Sequence, residues 1–478
     1  MPPLRDISRS ARRALAWSLL AAGAASALLP GRALAVPPWV LETVDGGPTS
    51  IVGEYSSMKL DLAGHPHIAY YDNLAEDLKY AFHDGTQWQI EVADGTPSNG
   101  GQFASLAVDK FGRPHIAYYD ETIGKLRYTT KVSGSWIREI ADTSSFDCGW
   151  YPSIALDSLQ RPWIASYDRG RGNPRLSIRL GTNAWAGSTI DTTFDLSGFY
   201  ASLVLDRKDR PQIAFYNLTR HCLQYAERNT GTWRVHTVDS SAADAGYYCS
   251  MAMDPLQRLH IAYLSLQNFE GDLKHATYDP SHERWNLEVV DGQSSDAGYD
   301  CSIAIDALGF PCIAYHDGTI QQLRVARLGT TGWDKQLVDD APTINGLYTS
   351  IASDATGQLR VSYWDGTDFT LRFAWGPGNV LDAGPPVPVP TTAPRVSPNP
   401  APVASRVRLS GAAATVRAYE IYDLAGRRTA EVSVDALGRA EWDTRTDVGT
   451  YAPAGLYFAR ARHRDGSAGE RLRVVLVH

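Results

Sequence analysis

Three sets of side chains in this sequence have types and spacings that could do chemistry together. Acids or their amide recur at Asp72, Asp120, Asp168, Asn217, Asp317 and Asp365, and aromatic rings recur at Tyr55, Phe103, Tyr151, Tyr200, Tyr248 and Tyr348. A third set has no repeated counterpart: Trp150, Arg169, Arg171, His221, Tyr247, Tyr299, His316 and Trp364. Rings on which a sugar can stack, beside acids that accept its hydroxyls, suit a glycan. The same acids suit a cation, with Ca2+ the ion of that chemistry, although no calcium-loop motif is present. Two carboxylates at catalytic separation would instead support glycoside hydrolysis. No zinc-protease, nucleophile-elbow, phosphate-loop or dinucleotide motif occurs, so no cofactor is implied.

Which of these groups can meet depends on the elements that carry them, and those come from an internal repeat. An Asp recurs at Asp61, Asp109, Asp157, Asp206, Asp254, Asp306 and Asp354, at intervals of 48, 48, 49, 48, 52 and 48 residues. Four residues before each stands a Ser: Ser57, Ser105, Ser153, Ser202, Ser250, Ser302 and Ser350. The second unit contains four short runs, SLAVD, PHIAYYD, KLRYTTK and WIREIAD, called strands A to D here. Apolar residues alternate along them and turn formers fill the gaps, as in antiparallel strands joined by turns. Seven such units arranged radially make an all-β fold, a seven-bladed β-propeller. Strand D opens with Trp88, Trp136, Trp185, Trp233, Trp285 and Trp333, but the seventh unit stops at Trp375 without a strand D. Trp39–Asp45 (WVLETVD) matches Trp285–Asp291 (WNLEVVD), so an N-terminal outer strand is expected to complete the last blade and close the ring.

In such blades the D–A and B–C loops share one face. That face collects the rings just ahead of strand A's Ser and the acids that end strand B. Repetition in every unit favours a scaffold role for the repeated Ser and Asp, bonding loop backbone, and makes the unit-specific residues the better functional candidates. The candidate ligand-binding set is Tyr55, Asp72, Phe103, Asp120, Trp150, Tyr151, Asp168, Tyr200, His221, Tyr248, His316, Asp317, Tyr348 and Asp365, with no catalytic or metal residue assigned. His67, His115 and His260 open strand B in different units, which argues against a shared metal. The turn after strand A, as in Asp109, Gly112 and Pro114, resembles the Asp-box of sialidase propellers without its Trp. No arginine triad accompanies it.

Residues 1–35 have the pattern of a signal peptide: Arg5, Arg9, Arg12 and Arg13, an apolar run Ala14–Leu29, then Ala33-Leu34-Ala35. Removing them takes five Arg and one Asp from a chain of net charge −8, leaving about −12. That balance argues against nucleic acid, and no later stretch is long enough to span a membrane as a helix. Five cysteines remain (Cys148, Cys222, Cys249, Cys301, Cys312), and the equivalent positions of Cys249 and Cys301 in adjacent units raise the expectation of a bridge between them.

Residues 36–381 form the expected propeller. Residues 382–394 are a Pro-rich linker, and 395–478 have the length of one β-sandwich, with strands at Arg406–Leu409, Val416–Asp423, Thr429–Val434, Arg439–Trp442, Gly455–His463 and Arg471–Val477. Within that last stretch, Ser397-Pro398-Asn399-Pro400, Glu420–Arg427 (EIYDLAGR), Glu441-Trp442-Asp443 and Pro453–Phe458 (PAGLYF) occur in order. This set resembles the C-terminal Ig-like sorting domains of type IX secretion cargo and the flagellar hook-capping Ig-like domain. The resemblance implies recognition by outer-membrane secretion machinery and an extracellular or outer-membrane surface location in a Gram-negative-type bacterium. The tail here is Arg-rich (Arg471, Arg473) rather than Lys-rich. The expectation is an exported, non-enzymatic protein that binds a glycan or protein on the D–A/B–C face. A secreted glycoside hydrolase or lyase on the same face, or a structural scaffold, are the alternatives.

Overall fold

The computed structural model describes residues 39–376 and 395–477, apart from positions 48, 229–230, 242–243, 268–269, 280–283, 293–294, 398–400, 404, 411–415, 424–426, 435–438 and 464–467. The expected signal peptide and Pro-rich linker lie outside the described residues, as do Pro398–Pro400 and Leu424–Gly426 of the sorting-domain motifs. The chain divides into two compact units that meet between Asn379 and Val380. Every regular element described is a strand, and among the described residues no helix is long and apolar enough to cross a membrane.

The first unit is the propeller. Its inner strands A are Val52–Leu60, Gly100–Val108, Trp150–Leu156, Ser197–Leu205, Asp244–Met253, Ala297–Ile305 and Asn345–Ser353, numbered as blades 1 to 7. Blade 2 continues through Pro114–Asp120, Lys125–Val132 and Ser135–Asp142 in order, and blades 1 to 6 all share this simple meander. Blade 7 takes its fourth strand from the N-terminus: Val40–Asp45 pairs antiparallel with Thr370–Gly376. Ala, Ile, Leu and Tyr side chains of strands B and C fill the space between neighbouring blades, so the core is a ring of inter-blade clusters.

The repeated residues hold blade to blade. Each strand A Ser accepts a hydrogen bond from the backbone N–H of the next blade's strand A: Ser57 from Leu106 (3.0 Å), Ser105 from Ile154 (3.1 Å), and so on to Ser350 from Met58 (3.0 Å). The expectation that Ser caps its own loop is corrected: its partner lies one blade on, and the seven bonds form a closed circle. The repeated Asp does cap its turn, as Asp109 accepts from the N–H groups of Phe111 (2.8 Å) and Arg113 (2.9 Å). A further tie joins the acid ending strand D to the strand B phenol of the next blade: Tyr70 to Asp45 (2.7 Å), Tyr118 to Asp94 (2.5 Å), Tyr315 to Asp291 (2.6 Å) and Tyr363 to Asp339 (2.6 Å).

The five cysteines are buried and free, so the expected Cys249–Cys301 bridge is corrected. Their Sγ atoms donate instead to the carbonyls of Tyr200 (3.0 Å) and Tyr248 (3.2 Å), one blade back. Ser56 donates likewise to the Tyr348 carbonyl at 2.8 Å. A bulge in strand A leaves that carbonyl outside the ladder, and a small donor in the next blade satisfies it.

Two residues ahead of each bulge aromatic, or of Asp300 in blade 6, stands a Gly at positive φ against strand C of the preceding blade. Gly149 (φ +103°) is typical: a Cβ there would lie 2.5 Å from the Leu126 Cα. Gly149→Ala is therefore expected to cost roughly 2–5 kcal/mol from left-handed strain plus overpacking, read as a lower denaturant midpoint.

The second unit is a β-sandwich. One sheet runs Arg395–Ser397, Val407–Ser410, Arg439–Trp442; the other runs Ala401–Pro402, Ala468–Val477, Gly455–His463, Val416–Asp423, Arg428–Ser433. Val407, Leu409 and Trp442 from the first sheet share a core with Tyr419, Ile421, Ala459 and Val474 from the second. The motif residues serve this framework: Trp442 Nε1 donates to the Arg445 carbonyl (2.8 Å), Tyr457 to that of Pro453 (2.8 Å), and Asp423 accepts from the Arg427 N–H (3.0 Å).

Candidate functional site

The strand B acids do not face a ligand. Asp120, Asp168, Asp317 and Asp365 are 0, 0, 2 and 1 % exposed. Each accepts N–H groups of its own B–C turn, and Asp72 does the same for Leu74 and Ala75. Strand C adds cations, with Arg127 on Asp120 at 2.9 Å and Arg324 on Asp317 at 3.0 Å. The expectation that these carboxylates line the mouth is corrected: a carboxyl group at that depth is held by turn and guanidinium bonds, which leaves it no reach outward. His316 is also interior. Its Nδ1 donates to the Asn345 carbonyl (2.8 Å), and burial pulls its pKa down, so it stays neutral.

The aromatics ahead of the strand A Ser behave differently, because the bulge turns them toward one another. Tyr55, Phe103, Tyr151, Tyr200, Tyr248 and Tyr348 all adopt left-handed backbone, φ 49–55°. Their rings form a chain of contacts with centroids 4.8 Å (Tyr348–Tyr55), 4.7 Å, 4.5 Å, 4.6 Å and 4.9 Å (Tyr200–Tyr248) apart. Interplanar angles of 40–56° match the step of about 51° in a seven-fold rotation, which means the rings stand upright around the axis. The seventh position, in blade 6, is Asp300, also left-handed at φ 48°. Each of these side chains keeps some contact with solvent while protein surrounds it. That enclosure pushes the Asp300 carboxyl up to about 6, against the N–H bond from Tyr348 (3.2 Å) that lowers it. The same enclosure pushes the Tyr151 phenol up to about 12.

Above this collar the D–A loops build two polar-aromatic platforms. In blade 3, Asp147 receives Tyr119 OH (2.7 Å), Trp150 Nε1 (2.9 Å) and Arg169 Nη1 (2.8 Å). The Arg169 guanidinium lies 5.0 Å over the Trp150 ring, and Trp150 packs 5.3 Å from Tyr119. In blade 5, Asp244 receives Tyr216 OH (2.6 Å) and Tyr247 OH (2.9 Å), with His221 Nδ1 at 3.2 Å. Tyr216 and Tyr247 stack at 4.4 Å and 29°. Burial first, and the adjoining carboxylate after it, raises the Tyr119 and Tyr216 phenols, so both remain donors. A smaller version in blade 6 sets Tyr299 OH 3.2 Å from Asp296.

Of the residues expected at the site, Trp150 and His221 stand on these platforms. The six collar aromatics meet around the axis, Asp120, Asp168, Asp317, Asp365 and His316 are withdrawn, and Asp72, half-buried, holds its own turn. Asp147, Asp244, Tyr119, Tyr216 and Asp300 carry the site and were not anticipated. The acids Asp147, Asp244 and Asp296 each stand four residues ahead of the collar position, a spacing visible in the chain. A groove of about 430 Å3 on the opposite face, between blades 1 and 2, includes Asp61, Tyr80, Glu91, Arg113 and Lys131. Its acids are already engaged, Asp61 by its turn and Glu91 by Lys131 (2.5 Å). No group of three or more His, Cys, Asp or Glu able to hold a metal occurs among the described residues.

No protein-family model matches the chain, and no curated protein is similar to it. Among solved structures it is similar to PorZ, a bacterial surface component of the type IX secretion system of Porphyromonas gingivalis (13% identity, TM-score 0.45), over 91% of this chain and 61% of that one. It therefore spans less than two thirds of that protein. It is also similar to the α-L-arabinanase of Penicillium chrysogenum (12% identity, TM-score 0.43, 57% of this chain and 92% of that one). A third is the leech intramolecular trans-sialidase (10% identity, TM-score 0.40, 70% and 69%). The propeller assignment rests on the strand pairing described above.

Proposed function

We propose that the protein is an exported glycan-binding protein whose ligand lies across the D–A/B–C mouth of the propeller. The observation that carries this is the pair of platforms, Trp150/Tyr119/Arg169 on Asp147 and Tyr216/Tyr247/His221 on Asp244. Each joins an aromatic face, which takes the C–H side of a pyranose, to a fixed acid and a nitrogen donor, the Arg169 guanidinium or the His221 imidazole, which take its hydroxyls. The signal-peptide pattern of residues 1–35 supports export. In the same proposal residues 395–478 serve secretion or surface attachment, on the strength of their ordered motifs.

A hydrolase or lyase on this face needs a proton donor and a second carboxylate at defined separation. Asp300, with its raised pKa, has the character of the first. No other collar position holds an acid, and the mouth acids Asp147 and Asp244 are bound to phenols and to the Arg169 guanidinium or the His221 imidazole. Binding without turnover is the reading this arrangement supports. Calorimetric titration with the best saccharide from a glycan array tests it: Trp150→Ala and Tyr247→Ala should each weaken binding about five-fold or more, roughly 1–3 kcal/mol per stacking ring. Unchanged affinity in both variants would remove the platforms from the site.

A further inference from the structure

The two platforms share a base. Trp150 and Tyr247 both pack against one buried cluster, Tyr167, Phe199 and Tyr216, contributed by blades 3 and 4. Phe199 takes the position in blade 4 that Trp150 and Tyr247 take in blades 3 and 5, but it is buried, with its ring centroid 4.1 Å from that of Tyr167. Leu196 stands where Asp147 and Asp244 stand in those blades, so blade 4 builds no platform of its own. What flanks this gap is charge.

Arg171 lies in the B–C turn of blade 3 and Arg220 in that of blade 4, and the D–A loop of blade 4 touches both turns. Its Ser197 N–H donates to the Gly172 carbonyl (3.0 Å), and its Asp195 takes Arg220 Nε (2.5 Å) and Asn217 Nδ2 (3.1 Å). Arg171 is exposed and makes no ion pair among the described residues. Asp147, Asp195 and Asp244, the acids of this arc, each already receive two or three donors. The Asp147 and Asp195 side chains are 11 and 17 % exposed, whereas those of Arg169 and Arg220, which they engage, are 55 and 54 % exposed. Each acid takes one nitrogen of a guanidinium that carries five N–H donors, so the cationic side is what solvent meets. In the B–C turns of blades 1, 2, 5 and 7 the exposed charged residues are acids instead: Glu76, Glu121, Glu270 and Asp368. Arginines confined to two adjacent blades of an acidic chain break the repeat, and such breaks mark functional positions.

We propose that the saccharide spanning the two platforms is acidic, and that an anionic group on it, a uronate carboxylate or a sulfate ester, is met by Arg171 and Arg220 at blade 4. This rests on the glycan reading given above. A chain with one unit on Trp150 and another on Tyr247 crosses blade 4, where these arginines stand. A guanidinium takes either oxyanion through paired N–H donors, and the charge-assisted bonds are stronger than those to a neutral hydroxyl. The arginines therefore select an acidic unit between two stacked ones.

An array printed with uronate-containing, sulfated and neutral saccharides, and with polyglutamate, tests the proposal when read with the full chain and with the double variant Arg171→Gln/Arg220→Gln. The strongest signals are expected from acidic saccharides, falling about five-fold or more in the double variant. Loss of signal on carboxyl reduction assigns a uronate, and loss on desulfation assigns a sulfate ester. Strongest binding to neutral saccharides, kept by the double variant and lost in Trp150→Ala, overturns the acidic assignment and leaves the glycan reading standing. Acidic binding that the double variant loses and that Trp150→Ala and Tyr247→Ala both keep overturns the platforms instead. Equal binding to polyglutamate overturns both, because charge alone then explains retention. A thermal melt of the double variant verifies that it is folded.

Discussion

A chain that begins at Gly46 will lose the cooperative unfolding of the propeller. Val40–Asp45 supplies the ladder partner of Thr370–Gly376, and its side chains reach into both neighbouring interfaces. Trp39 packs with Cys312, Leu323 and Val338 on the blade 6 side and donates to Gln336 Oε1 (3.2 Å). Val44 packs with Val52, Met58 and Ile68 on the blade 1 side, where Asp45 accepts from Tyr70 and Lys79. Loss of Trp39 and Val44 alone costs roughly 3–5 and 1–3 kcal/mol. A newly exposed edge strand and an unpartnered ladder add to that, against a total stability of about 5–15 kcal/mol. Circular dichroism melting and gel filtration should report an aggregating or partly unfolded chain. A truncated chain that melts as sharply and as hot as the parent would show that blade 7 does not depend on this strand.

Asp300→Asn is expected to raise the melting temperature at pH 8 and leave it nearly unchanged at pH 3. Enclosure among the collar rings raises the folded-state pKa from 3.8 to about 6. A group shifted upward contributes its stability below the unfolded value, near pH 3.8, and loses it as the pH climbs through about 6. Above pH 7 the wild type therefore carries an ionised carboxylate at a penalty of about 3 kcal/mol that a neutral amide avoids. Asn also retains an oxygen for the Tyr348 N–H. The phenols facing Asp300 from the other blades stay neutral throughout that range, because burial holds Tyr55, Tyr151, Tyr200, Tyr248 and Tyr348 above their ordinary value. Paired melts across pH 3–8 check this. Parallel pH profiles for the two proteins would contradict it.

Much of the fold was legible because the repeat states each blade seven times. The closing strand could be read from Trp39–Asp45 since an outer strand of closely similar sequence, Trp285–Asp291, stands beside its neighbours in blade 5. The sandwich strands fall within a few residues of their periodicity, as at Val416–Asp423 and Gly455–His463. The Ser and Cys bonds between blades were not legible, since they join residues at least 49 positions apart whose side chains also have a plausible local partner. Ser105 reads as a loop cap, yet its acceptor oxygen serves Ile154 across the interface. Cys249 and Cys301 occupy one register on adjacent strands, but the strand A bulge offers each thiol an unpaired carbonyl instead of the other thiol. Asp300 stands in the one unit that lacks the shared aromatic, so the aromatic pattern does not point to it. The strand B acids misled for the converse reason: a carboxylate ending a strand at a loop face is as well suited to holding the turn as to meeting a ligand.

Binding without turnover at the Trp150 and Tyr247 platforms leaves the ligand chemically intact. The most direct measurement incubates the full chain with the saccharide that it retains from a glycan array, then analyses the recovered ligand by mass spectrometry. The expected result is a ligand held by the wild type, released by Trp150→Ala and Tyr247→Ala, and recovered at its original mass. Recovery of shortened or unsaturated products, abolished by Asp300→Asn, would contradict it and establish an enzyme.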